Sequence, residues 1–264
     1  MRDDGRLVIC GVDGSRGARV AAEQAAALAR GGMLTLVAVA YVRGSGPNEM
    51  ADLDPPHGRR ALDSAREIAL AGGVDALPEL VRGRDAAAVL TRRAADADLL
   101  VIGAPVSGRA QGIVLGATAT RLLHTAPRPV LVARTPPRGH SFPDHVLVAT
   151  DGSRASRYAI TLAGAIAAEH RAAVTLLHAG GPAGASERRR IAEQEVELLE
   201  ATGTEPLRLD PSGDAADAIV DAARSLSASL VVTGARGVSG LRALGSVSER
   251  VAHRAPCSVL VARG

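Results

Sequence analysis

The chain contains no lysine: all 31 of its basic residues are arginine. That absence removes the phosphate-loop lysine, the Schiff-base lysine and the lysine general base from the chemistry available to it. Aromatic residues are nearly missing as well. Only Tyr41, Tyr158 and Phe142 occur, in a chain of 264 residues that is 47% hydrophobic. The core must therefore be built from Ala, Val, Leu and Ile, which suits helices packed closely on a parallel sheet and suits base-stacking nucleic-acid modules poorly. The two cysteines, Cys10 and Cys257, form no CxxC or zinc spacing, and each sits in an apolar run where a buried, inert thiol is expected. No apolar stretch approaches the roughly 20 residues of a membrane span, and "MRDDGRLVIC" has no signal-peptide core. A cytoplasmic protein is expected.

The formal charge is +3, but the arginines are interspersed with acids except at "RRR", 188–190. That run reads as a solvated helix face rather than a nucleic-acid stripe, and neither a nucleic-acid nor a membrane partner is expected.

What the chain does contain, it contains twice. "VICGVDGSRGARVA" (8–21) matches "VLVATDGSRASRYA" (146–159), "DLLVIGA" (98–104) matches "SLVVTGA" (229–235), and "APRPVLVAR" (126–134) matches "APCSVLVAR" (255–263), in the same order. Two duplicated domains are predicted, 1–134 and 145–264, joined by the Pro-rich linker "TPPRGHSFPD" (135–144). In the second, strands are predicted at "HVLVATD", "AAVTLLHA", "EPLRL", "SLVVTGA" and "CSVLVA". Helices are predicted where Ala155, Tyr158, Ala159, Leu162, Ala163 and Ile166 recur at helical spacing, and at "SERRRIAEQEVELLEA" and "DAADAIVDAARSL". The first half repeats the series, with a looser segment at 43–58. Alternating strands and helices imply a parallel sheet covered on both faces, which binds ligands beyond the carboxyl ends of its strands at the switch point.

Two features meet at that edge. In "VDGSRG" and "TDGSRA" the Asp and Ser can cap the following helix, and Asp13 and Asp151 can also face the hydroxyls of a ligand such as a ribose. In "TGARGVSGLRALGSVSERV" (233–251), Gly234 and Gly237 allow close approach of phosphate oxygens, Gly245 and Ser246 open a helix whose free N–H groups favour an anion, Ser248 adds a hydroxyl, and Arg236 and Arg242 can add charge. His124 and His253 read as cations at helix C-termini, and His178 as packing beside the site.

These residues carry a resemblance. The DGS turns, "GARG…GSVSERV" and "APCSVLVAR" make the whole chain similar to a tandem universal stress protein, two such domains in one polypeptide. The resemblance implies two Rossmann-like domains of the adenine nucleotide alpha hydrolase-like type, each a five-stranded parallel sheet of order 3-2-1-4-5 with helices on both faces. It also implies the ATP motif G-x2-G-x9-G-(S/T) after the fourth strand. The second half has the residues but only seven, "VSGLRAL", between its last two glycines; the first keeps nine but has Val106 and Ala117 at motif positions, and Pro105 removes a backbone donor.

By the same resemblance, Asp151 lies at the ribose or adenine side, Ala179 offers backbone to the base, and Gly234, Gly237, Gly245, Ser246 and Ser248 surround the phosphates. The weaker first site comprises Asp13, Val39, Gly103, Gly116 and Thr118. The implied function is a nucleotide-dependent stress-response regulator that binds ATP, with Mg2+ as a companion ion, chiefly in the second domain, and that acts on a protein partner. The implied assembly is an internal pseudo-dimer through the fifth strands, open to further homodimerisation. A nucleotide-free scaffold and a slow ATP-hydrolysing enzyme are the alternatives; no catalytic or protein-held metal residues are expected.

Overall fold

The computed structural model describes residues 5–41, 55–105, 115–179, 183–235 and 244–263. They group into two compact units, the first reaching Ala133 and the second beginning at Arg134. The first comprises β1 (Leu7–Gly11), α1 (Arg16–Leu28), β2 (Met33–Tyr41), α2 (Pro55–Ala71), β3 (Leu77–Gly83), α3 (Ala86–Ala94), β4 (Leu99–Gly103), α4 (Ala117–Thr125) and β5 (Val130–Ala133). The second comprises β6 (His145–Thr150), α5 (Arg154–His170), β7 (Ala173–His178), α6 (Ala185–Thr202), β8 (Leu207–Leu209), α7 (Ala215–Ser225), β9 (Leu230–Gly234), α8 (Ser246–Arg254) and β10 (Ser258–Ala262).

Each unit carries five parallel strands. Their order is β3-β2-β1-β4-β5 in the first and β8-β7-β6-β9-β10 in the second. Right-handed crossovers in that order send α1 and α2 to one face and α3 and α4 to the other, and within the first unit α1 packs on α2 and α3 on α4. The second unit repeats this with α5 on α6 and α7 on α8. The strands β4, β5, β9 and β10 are buried almost throughout, as sheets covered on both sides require. Among the described residues no helix is long and apolar enough to cross a membrane.

Alanine makes the layers thin. In α1 the buried stripe is Ala18, Ala21, Ala22, Ala25 and Ala26 with Val20 and Leu28, so the helix axis can approach the sheet closely. The approach is closest where the first helix of each unit crosses the end of the fourth strand. A Cβ on Gly17 would lie 2.2 Å from the Ala104 carbonyl oxygen, and one on Gly103 2.3 Å from the Gly17 carbonyl carbon. In the second unit a Cβ on Gly234 would lie 2.9 Å from the backbone of Ala155. These glycines are demanded by packing before any ligand is considered.

Two expectations need adjustment. The segment 43–58 is not loose to its end, because α2 begins at Pro55: proline is well placed in a first helical turn, whose N–H groups have no partner within the helix. Residues 43–54 of that segment lie outside the described residues. The strand expected at "EPLRL" contracts to Leu207–Leu209, since Pro206 cannot donate to a ladder. The cysteines are buried as expected, and burial pushes the Cys257 thiol up to about 12 and the Cys10 thiol higher still, so neither forms thiolate readily.

Gly103→Ala is expected to destabilise the first unit by roughly 1–3 kcal/mol through overpacking against Gly17 and Ala18. Gly234→Ala, with its wider spacing, should cost the second unit less. Urea unfolding of the two variants measures the order; equal midpoints would contradict it.

Candidate nucleotide cleft

At the carboxyl ends of β6, β7 and β9 the second unit opens a cleft of about 190 Å³. Its walls come from five separate segments: Ala149, Thr150 and Asp151 of the first turn with Ser156 behind them; Leu177 and Ala179; Ala215 and Ile219 of α7; Thr233 and Gly234; and Gly245 to Ser248. Asp151, Ala179, Gly234, Gly245, Ser246 and Ser248, selected from sequence, therefore converge on one cavity. Arg236, Gly237 and Arg242 lie outside the described residues. So does Val106 in the first half.

The acidic turns serve the helix starts that follow them. Asp151 Oδ1 accepts from Ser153 N at 3.0 Å and Asp13 Oδ1 from Ser15 N at 2.9 Å, while the serine side chains accept from Ser156 N and Ala18 N as helix caps. Among the described residues only one oxygen of each carboxylate is hydrogen-bonded, and Asp151 remains on the cleft wall. Below it lies a polar cluster that periodicity could not reveal. Thr150 donates to Gln194 Oε1, lies 3.1 Å from Ser156 Oγ, and accepts from Gly152 N at 3.0 Å. Gln194 reaches the group from α6 and is 2% exposed. The first unit has Val12 and Ala18 in place of Thr150 and Ser156.

Each turn is also held from its second helix. Arg190 Nε donates to Gly152 O at 2.8 Å, and His57 Nε2 lies 2.9 Å from Asp13 O. Arg189 pairs with Glu193 and Arg188 donates to Ala183 O, so the "RRR" run is spent within its own surroundings. His178 is 7% exposed, with Nε2 3.4 Å from Glu187 Oε1 and Nδ1 3.4 Å from Asp210 Oδ1; it ties the end of β7 to α6 and to the turn after β8. His124 and His253 occupy the last turns of α4 and α8.

The phosphate side has a distinct chemistry. Helices α1, α3, α5 and α7 are capped by Ser15, Asp85, Ser153 and Asp214, whereas α4 and α8 begin after Gly116 and Gly245 with no side-chain cap. Helix α6 likewise follows a glycine, Gly184. The first-turn N–H groups of α8 thus remain available to an anion. Gly245 N is not among them, since it donates to Ala235 O at 2.7 Å. Ser248 Oγ donates to Gly234 O, which anchors α8 to β9 and leaves Ser246 as the exposed hydroxyl. In the first unit Gly116 and Thr118 stand at the equivalent helix start, but Pro105 packs over it: a Cβ on Gly116 would lie 3.2 Å from the proline ring.

Ion pairs hold α8 along its length. Arg250 Nη1 lies 2.8 Å from Asp214 Oδ2, and Arg254 pairs with Asp217; Arg121 and Asp85 repeat the pair between α4 and α3. At the other end, buried Arg134 donates to Ala252 O and to Cys257 O, and burial draws its pKa down to about 10. The Arg250 hydrogen bond, aided by the Asp217 N–H, holds Asp214 down at about 2.

A doubly wound α/β domain in two copies, with a cleft at the switch point of the second, has its opening where open α/β sheets place their ligands. The universal stress protein family profile matches residues 6–134 and 143–263. A universal stress protein of Mycobacterium tuberculosis is 31% identical, over 97% of this chain and 96% of its own length. The crystal structure of a universal stress protein from Archaeoglobus fulgidus covers 97% of both chains with a TM-score of 0.76 at 20% identity. A universal stress protein solved in complex with cAMP is 34% identical over 47% of this chain, with a TM-score of 0.42. The chain belongs to the universal stress protein family, with two of its domains in tandem.

Gln194→Leu should leave Thr150 and Ser156 without their partner and destabilise the second unit by about 1–3 kcal/mol, read by urea unfolding. Asp214 has its folded pKa below the ordinary 3.8, so its contribution is present above that value and is lost as pH falls from about 4 through 2. Arg250→Ala should move the Asp214 carboxyl titration upward, measured by NMR; an unmoved midpoint would contradict the pairing.

Proposed function

We propose that the second unit binds an adenine nucleotide, ATP, in the cleft between Asp151 and the start of α8, and that occupancy makes the protein a nucleotide-dependent stress-response regulator. One observation carries this reading. Residues far apart in sequence, acidic at one end (Asp151) and presenting an uncapped helix start at the other (Gly245, Ser246), line one cavity between apolar walls. A carboxylate suits ribose or amine hydrogens, and free backbone N–H groups suit phosphate.

Binding rather than turnover is the activity these groups support. Asp151 is the one carboxylate among the residues lining the cleft, and among the described residues no group of three His, Cys, Asp or Glu is placed to hold a metal. A Mg2+ ion would therefore arrive on the triphosphate and keep mostly oxygen ligands from phosphate and water. Hydrolysis, with no general base set beside an attacking water, would be slow. The first unit is expected to be the weaker site, since the Pro105 ring lies beside Gly116 at the start of α4 and proline offers no backbone N–H. A regulator of this kind acts through a protein surface whose shape depends on occupancy.

Denaturing the purified chain and identifying any released nucleotide by mass spectrometry, followed by calorimetric titration with ATP, ADP and AMP, tests the reading. About one nucleotide per chain is expected. Asp151→Ala should weaken binding by about tenfold, in line with loss of a charge-assisted hydrogen bond, and Asp13→Ala should change it little. No released nucleotide and no binding at millimolar concentration would leave the scaffold alternative standing.

A further inference from the structure

Thr233 was not selected from sequence, yet it occupies the floor of the cleft. It is 3% exposed, and among the described residues its hydroxyl has no hydrogen-bond partner. A buried hydroxyl in that condition lowers stability unless something else requires it. The side chain lines the cavity, and rotation of χ1 between staggered positions moves the hydroxyl to another substituent position on Cβ, a freedom by which it can be presented to an occupant.

The register shows how deep this point lies. Leu177 pairs with Ala149, and Val148 with Val232, so Leu177, Ala149 and Thr233 form one lateral row on the face toward α7. Asp151 and Ala179 are two residues further along β6 and β7, about 6–7 Å nearer the opening. Leu177 and Ala149 share the row of Thr233, and Ile219 and Val247 add apolar side chains to the cleft lining, with Ser246 and Ser248 on the α8 wall.

The first unit closes the same place. Its row is Val37, Gly11 and Ile102, and Leu90 of α3 fills the notch: a Cβ on Gly11 would lie 2.8 Å from Leu90 Cδ1 and 3.5 Å from Ile102 Cγ2. Where the first unit has an isoleucine, the second has an unpaired hydroxyl.

We infer that Thr233 is a specificity-determining residue of the second cleft, hydrogen-bonding a polar edge atom of a nucleobase inserted to the cleft floor. A phosphate would lose its hydration among these apolar walls, and a ribose would leave its other hydroxyls unpaired. A flat, largely apolar ring with a few edge nitrogens matches one hydroxyl that can donate to a ring nitrogen or accept from an amine. The inference rests on the nucleotide reading of the same cleft.

The full chain is titrated with ATP, 2′,3′-dideoxy-ATP and inorganic tripolyphosphate, as wild type, Thr233→Val and Thr233→Ser, and each is melted without ligand. Thr233→Val is expected to bind ATP and dideoxy-ATP about tenfold more weakly and to bind tripolyphosphate unchanged. Its ligand-free melting temperature should rise, because a buried unpaired hydroxyl becomes a methyl. Thr233→Ser should bind as wild type. Wild-type binding with an unaffected Thr233→Val overturns the assignment of Thr233 alone. An effect that vanishes with dideoxy-ATP transfers the contact to the ribose and overturns the base-edge assignment, as does equal weakening of tripolyphosphate. A lower melting temperature makes the hydroxyl structural and also overturns it. A wild-type chain that takes up none of the nucleotides overturns the nucleotide reading and this one together.

Discussion

The contact on which each unit depends is the backbone approach between the first helix and the end of the fourth strand. Gly17 lies on Gly103 and Ala104 in one copy, and Ala155 lies on Gly234 in the other, at distances where a Cβ would overlap main-chain atoms. Because helix and strand meet there with no side chain larger than a methyl, the Asp-Gly-Ser turn that opens the helix is drawn beside the end of that strand. The switch point then supplies the opening, since β7 and β9 flank β6 and their connections depart to opposite faces. A glycine read from sequence as room for phosphate is first room for a helix.

Most of this arrangement was legible in the chain. Strand and helix periods, the Ala stripes and the duplicated blocks specify an α/β unit twice, because each is a local or repeated pattern. Residues that sit at strand ends or helix starts, such as Asp151, Gly245 and Ser246, were legible for the same reason. Thr233 was not, although it stands one residue before a selected glycine. Its importance comes from the lateral row with Ala149 and Leu177, and that row is set by pairing between strands separated by dozens of residues. Gln194 was hidden in the same way, as one polar residue on an otherwise amphipathic helix. Pro55 was misread because proline marks loops on average, while at the first turn of a helix its missing N–H costs nothing.

The two copies have diverged below the ligand edge as well as along it. The first carries Val12, Ala18, Gly11, Leu90 and Ile102 where the second carries Thr150, Ser156, Ala149, Ile219 and Thr233. In the first, Leu90 and Ile102 close over Gly11, and the Pro105 ring lies beside Gly116 at the start of α4. In the second, hydroxyls stand at three of those positions, Thr150, Ser156 and Thr233, and the last two line an open cavity together with Ala149, Thr150 and Ile219. Loop length alone would have ranked the first copy as the better site, since it keeps nine residues before Gly116.

A polar floor is a poor choice for stability and a useful one for recognition. Thr150, Ser156 and Gln194 satisfy one another, so their burial is offset within the protein, and they fix the turn bearing Asp151. Thr233 is not offset in this way. A chain under selection for folding alone would replace it with valine or isoleucine, as the first unit does with Ile102. Duplication permits such a division: an apolar copy supplies its own stable core, and the second retains a buried hydroxyl that has no partner among the described residues. The unpaired hydroxyl therefore says more about the occupant than the glycines do, because glycines at the strand end are needed by the fold whether or not a ligand is bound.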